Sequence, residues 1–185
     1  MLGADHHDFL GKVVILVSRY RLSFRLLACL MMFVFIFIWT AGCSPAKSGG
    51  IACAEAYLGH LIAKDYAAAY ELLSDFDKQN ISRETYLRWK ESVAQIIDIE
   101  SATVDRKVDT FSSYKYQGTS FGLVLGLKIS RQQKVLKPDI ELDGYNTPDY
   151  RQMVVYENKE WRMLLLLTKL DETVAAYEAI LKKSD

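Results

Sequence analysis

Residues 26–43, LLACLMMFVFIFIWTAGC, take the front of this 185-residue chain out of any globular fold. From Met31 to Trp39 a helix built of this sequence is apolar on every face, with no polar side to turn toward water. Arg19, Arg21 and Arg25 precede the run, a charge placement that the inside-positive bias holds in the cytoplasm. Residues 26–39 have the length of the apolar region of a secretory signal, and fall short of the roughly 20 residues a spanning helix prefers. Counting on through Ala41 and Gly42 nearly reaches a span, so an uncleaved anchor is the second reading. The residues before the run carry a small patch, VVILV, and the neighbours His6 and His7. Two adjacent histidines without further ligands do not make a metal site, and these residues leave with the signal.

The run ends in Thr40, Ala41, Gly42 and Cys43. Here it resembles a bacterial lipoprotein signal peptide, with Thr40 where that family usually has leucine. The resemblance implies cleavage before Cys43, acylation of the Cys43 thiol and its new amino group, and a chain held on the extracytoplasmic side of a cell envelope. Three parts follow: 1–42, a signal that is removed; 43–50, the lipidated cysteine and a flexible linker, SPAKSGG; and 51–185, a single domain. With no acidic residue beside Cys43, the resemblance points to an outer membrane where the cell has one.

The remaining part, about 140 residues, is enough for one domain with a proper core. It carries 19 basic against 21 acidic side chains, the leader holding four against two. A net charge of that sign offers no footprint for nucleic acid, which asks for a strongly basic face. Cys29 goes with the signal and Cys43 to lipid, leaving Cys53 to pack as a small apolar residue on a helix. A Cys43–Cys53 disulfide requires that lipidation fail.

Ala54, Leu58, Leu61 and Ile62 recur at helical spacing over residues 51–64. Asp65 can cap a second helix with Tyr66, Ala69, Tyr70 and Leu73 on one stripe, and residues 74–77 break it. Ser82 opens a third helix, running to Gln95, with Tyr86, Trp89 and Val93 turned inward. The phrases KDYAAAYELLS and ISRETYLRWKE, in this order after a first helix, resemble the opening of bacterial lipoproteins in the nuclear transport factor 2-like superfamily. That resemblance implies an α+β fold: helices packed on a strongly curved antiparallel sheet, a cone (also described as cystatin-like) with an interior pocket. No catalytic signature comes with it.

The second half reads as that sheet. Residues 97–111 alternate through Ile99 and Val104. Residues 114–130 form the clearest strand, with Phe121, Leu123, Leu125, Leu127 and Ile129 at a period of two, and glycines 118, 122 and 126 suiting bends. Residues 131–149 read as polar, with an edge strand near Ile140 and Leu142 and a turn at Asn146, Thr147 and Pro148. Glu157, Asn158, Lys159 and Glu160 signal a hairpin whose second strand, 163–167, is apolar on both faces and belongs mid-sheet. The phrase VVYENKEWRMLLL also looks like the closing hairpin of the same superfamily. A capping box from Thr168 to Asp171 opens a last helix striped by Leu170, Val174, Tyr177 and Leu181. Such a helix departs from the simplest pattern of the superfamily, and could plug the cone or dock on a partner.

Enzymes of this superfamily use a carboxylate or histidine base inside the cone, with tyrosines or a protonated acid at an oxyanion. His60 borders the first stripe without continuing it, and no carboxylate orients it within the turn; it reads as a surface or boundary histidine. Asp105 and Asp109 lie on mostly polar strands and read as solvated. No phosphate loop, zinc-spaced set or nucleophile elbow is present. Tyr57, Tyr66, Tyr70, Tyr86 and Trp89 are candidates to line a pocket, although aromatics at helical spacing are far more often core. The expectation is a non-catalytic lipoprotein, tethered through Cys43, that binds an envelope protein or a small apolar ligand without cofactor or metal. A cone-pocket isomerase or dehydratase, or an uncleaved bitopic component of an envelope assembly, is the alternative.

Overall fold

The computed structural model describes residues 46–140 and 149–184. The leader, Cys43, the strand position Leu142 and the turn at Asn146, Thr147 and Pro148 lie outside them. Four helices come first: α1 (Lys47–Ile62), α2 (Tyr66–Glu71), α3 (Asp75–Asn80) and α4 (Arg83–Ala94). Seven strands follow: β1 (Ile97–Val104), β2 (Asp109–Phe111), β3 (Tyr114–Tyr116), β4 (Thr119–Phe121), β5 (Val124–Val135), β6 (Asp149–Glu157) and β7 (Glu160–Leu164). Helix α5 (Leu170–Ser184) closes the chain.

Helix α1 begins four residues earlier than the sequence suggests, so residues 47–50 are helix and not linker. Gly49 and Gly50 are there for close approach. A Cβ at Gly49 would sit 2.8 Å from Trp161 Cδ1, and one at Gly50 2.7 Å from Leu125 Cδ1, so only glycine lets the first turn lie on the sheet. The far end turns sharply: Lys64 adopts φ 58° and the Asp65 N–H donates to the His60 carbonyl at 2.9 Å, a left-handed helix stop. Asp65 then caps α2, accepting from Ala68 N at 3.1 Å, and Ser82 caps α4, accepting from Thr85 N at 3.0 Å, both as expected. Ser74 does more than break a helix; it caps α3 by accepting from Asp77 N.

β5 is the spine of a curled, half-barrel antiparallel sheet in the order β1-β5-β6-β7. β1 pairs with its C-terminal half and β2 with its N-terminal end, so the expected 97–111 strand is two pieces. The register slips between Ile99 and Ser101, a bulge that bends the sheet. The expected 114–130 strand is likewise divided. Gln117 at φ 46° and Gly118 at φ 82° form a two-residue turn, folding β3 back on β4 as a separate hairpin. β5 also runs on past Ser130 to Val135, into the segment that the sequence shows only as polar.

Asn158 and Lys159, at φ 49° and 68°, make the tight turn expected between β6 and β7. β7 lies at the sheet's edge rather than its middle. Its two-faced apolarity has another cause: Met163 faces the helices, while Leu164 packs with Phe121, Val124 and Val155 beneath the β3–β4 hairpin. Residues 72–74 cover its free edge, with Met163 N donating to the Leu72 carbonyl and Ser74 N to the Met163 carbonyl, both at 2.8 Å.

The core joins Ala54, Tyr57, Leu58 and Leu61 of α1 to Leu125, Leu127 and Ile129 of β5 and Val154 of β6. Helix α5 buries Leu170, Val174 and Leu181 with Tyr177 beside them, the expected stripe. It packs along α4, where Arg88 grips Glu178 with two contacts of 2.7 and 2.8 Å. Asp171 forms no capping box; it accepts from the Thr85 hydroxyl at 2.8 Å.

Candidate functional site

The concave face of β5 is set by alternation. Leu125, Leu127 and Ile129 point into the core, and the next residues in phase, Arg131 and Gln133, must follow. Beside them β6 contributes Tyr150, opposite Ile129, and Gln152, opposite Leu127. On the other flank β1 supplies Ile99, opposite Gln133. Here the apolar filling stops and a pocket of about 180 Å³ opens.

Its roof comes from the helices. α1 presents Tyr57 and Leu61, and α4 presents Trp89 and Lys90. Lys90 lies four residues after Tyr86 and three before Val93, on the buried stripe of α4. Its ammonium sits 3.8 Å from the centroid of the Trp89 ring, with the Tyr86 and Tyr57 rings at 5.5 and 6.0 Å. The side chain is only 7% exposed, as is Arg131 on the facing strand. Burial, reinforced by the charge of Arg131, pushes the Lys90 ammonium down to about 7. The Arg131 guanidinium lies 4.9 Å from the centroid of the Tyr150 ring. Burial raises the Tyr150 hydroxyl, so the phenol stays neutral.

Leu165 and Leu167 form the remaining wall, and a buried carboxylate holds them. Asp77 accepts from Leu165 N at 2.8 Å, from Leu167 N at 3.1 Å and from the Ser74 hydroxyl at 2.8 Å. The loop between these contacts passes through Leu166 at φ 56°, which the grip of Asp77 sustains. Burial raises the Asp77 carboxyl above the usual range, against the hydrogen bonds that lower it.

Of the aromatic candidates, Tyr57 and Trp89 line this pocket. Tyr86 stands behind Tyr57, its hydroxyl donating to the Tyr57 hydroxyl at 2.9 Å. Tyr70 is core, donating to the Ile81 carbonyl at 3.1 Å. Tyr66 lies round the other edge of Lys90, in a hollow of about 20 Å³ shared with Lys64 and Asp98. Lys90 and Arg131 are additions that the sequence reading passed over. Their signal was phase: each continues an apolar stripe.

His60 lies outside the pocket. A carboxylate does reach it, Asp65 Oδ2 at 3.8 Å from Nδ1, because the helix stop folds Asp65 back. Asp105 and Asp109 are exposed and line a separate hollow of about 230 Å³, Asp109 paired with Arg151 at 3.1 Å. Cys53 is buried, its thiol donating to the Trp161 carbonyl and pushed up by burial to about 11, which keeps it unreactive. Among the described residues, no group of three or more His, Cys, Asp or Glu side chains could hold a metal ion. No helix among them is long and apolar enough to cross a membrane. Compared with known proteins, the chain matches no family model, no curated protein and no solved structure.

Proposed function

We propose that this chain is an envelope lipoprotein, anchored through acylated Cys43, whose nuclear transport factor 2-like cone captures a small ligand without transforming it. The observation that carries the reading is the pocket between α1, α4 and the curled sheet. Three aromatic rings and four aliphatic side chains surround it, the mixture a small-molecule site requires. Among its described lining residues there is no Asp, Glu, His, Ser or Cys, so no pairing of a nucleophile or a carbon acid with a carboxylate or histidine base is assembled there. Docking of an envelope protein on the outer faces is compatible with the same tether, but the pocket favours the small ligand.

A thermal-shift series on the full-length, detergent-extracted protein tests it, using one-ring compounds of differing charge: toluene, benzyl alcohol, benzylamine and benzoate. A rise in unfolding temperature with at least one compound, abolished when Leu165→Trp fills the pocket, is expected. No shift with any of them would sink the ligand-binding reading. A second reading, a pocket enzyme, draws support from Lys90, whose amine is half unprotonated near pH 7 and so open to carbonyl chemistry. Borohydride trapping of a carbonyl compound on Lys90, read by peptide mass, decides for or against it.

A further inference from the structure

The inner face of the β6–β7 hairpin runs on past the core. Val154 and Met163 are buried against the helices, and the next residues in phase toward the turn are Tyr156 and Trp161, directly opposite one another. Their ring centroids lie 5.3 Å apart, and both residues are half-buried. The first turn of α1 rests on Trp161, with exposed Lys47 and Ser48 ahead of Gly49. Exposed Asn158 and Lys159 turn the hairpin just beyond the pair. The carboxylates of this rim are engaged. Glu160 pairs with Arg162, Glu157 accepts from Asp75 N at 2.7 Å, and Asp75 accepts from the Asn158 amide at 2.8 Å.

The chain also enters the domain at this end. The apolar run closes at Cys43, and α1 begins at Lys47 with its first turn already seated on the sheet. Ala46 is three residues on from Cys43, and three residues span at most about 10 Å when fully extended. The headgroup layer on each side of a bilayer is itself roughly 5–8 Å deep. Whether the membrane holds acyl chains on Cys43 or residues 26–43 as an uncleaved span, a tether of that length cannot keep the start of α1 clear of the bilayer surface.

We propose that the rim formed by Tyr156, Trp161, Lys47 and Lys159 is a membrane-docking surface, seated in the headgroup layer of the bilayer that holds the front of the chain. The proposal rests on the membrane tether of the reading above and not on its pocket. Tryptophan and tyrosine favour that layer because an apolar ring with one polar tip suits the boundary between acyl chains and water. The lysine stems lie along the apolar side while their ammonium groups reach headgroup phosphates. Lys47, Lys159 and Arg162 offset Asp75, Glu157 and Glu160, so the occupant is a zwitterionic lipid surface and anionic lipid is not required.

Tryptophan quenching tests this on the full-length protein, reconstituted into phosphatidylcholine vesicles with and without bromine on the acyl chains close to the headgroup. Bromine acts only at short range. Subtracting the emission of Trp161→Phe from that of the parent isolates Trp161 from Trp39 and Trp89. Lys159→Trp reports on the hairpin turn, and Lys134→Trp on the far end of β5, roughly 30 Å along the strand from Val124. Bromine is expected to quench Trp161 and the Lys159→Trp reporter about twofold and to leave the Lys134→Trp reporter unchanged. The Lys159→Trp reading needs no change at Trp161, so it decides even where Trp161→Phe does not fold. Vesicle-bound protein whose Trp161 and turn reporter are quenched no more than the Lys134→Trp reporter overturns the docking surface and leaves the tether standing. Protein that does not float with the vesicles overturns the tether and the docking surface together.

Discussion

Lys90 puts a titration into the folded state that the unfolded chain lacks. Its ordinary value is 10.5 and its folded value about 7. Below pH 7 both states hold the proton, and the folded state bears the whole penalty of a buried charge. Between about 7 and 10.5 only the unfolded state binds it, so stability climbs as pH rises through that window. The ceiling on the gain is about 5 kcal/mol. Urea denaturation at pH 6 and pH 9 should show the rise in the unaltered protein, and Lys90→Met should flatten it while being the more stable protein at pH 6. A slope identical in the two proteins would place the charge elsewhere. Asp77 is the opposite kind of buried group, one whose acceptors are fully engaged. Asp77→Asn presents an amide N–H₂ to backbone donors and should cost about 2–4 kcal/mol. The same urea titration reads it, and a midpoint within error of the parent would refute the role assigned to Asp77 in holding residues 165–167.

At the scale of elements, the short turns hold strain that can be released. Lys159 sits at φ 68° in the β6–β7 turn, in the left-handed region that a side chain with a Cβ occupies at a cost. Lys159→Gly should stabilise the protein by about 0.5–1 kcal/mol without altering the strand pairing. Its thermal midpoint should rise, and a fall would mean that the turn is held by contacts of the lysine itself. Helix α1 shows the reverse logic, since its two early glycines cost helix propensity and are retained because Trp161 and Leu125 leave no space for a Cβ. Among the described residues, helix α5 contributes to the core and packs on α4, and none of its residues lines the pocket wall.

For the whole molecule, the proposed tether and the proposed pocket are separable. Cys43→Ser should block acylation and processing, leaving a larger, uncleaved form, while the unfolding temperature and ligand response of the domain stay the same. Intact-mass measurement of the membrane-extracted protein reads the first half and the thermal-shift series the second. A Cys43→Ser protein of unchanged size would favour an uncleaved anchor, with no consequence for the pocket.

Local chemistry was legible without the structure wherever the deciding groups lie within a few residues of one another. The caps at Asp65 and Ser82, the stripe of α5, the alternation through Leu125, Leu127 and Ile129, and the turn at Asn158 and Lys159 are all of this kind. Together they determine helices first, an antiparallel sheet second and a closing helix. The tertiary structure alone decided how far β5 runs, why β7 is buried on both faces at a sheet edge, and that α1 takes two glycines into its first turn. It alone placed Lys90 and Arg131 indoors. A charged residue read locally belongs in water, and only the convergence of α1, α4, β5 and β6, distant in sequence, removes that water and turns two in-phase cations into a site.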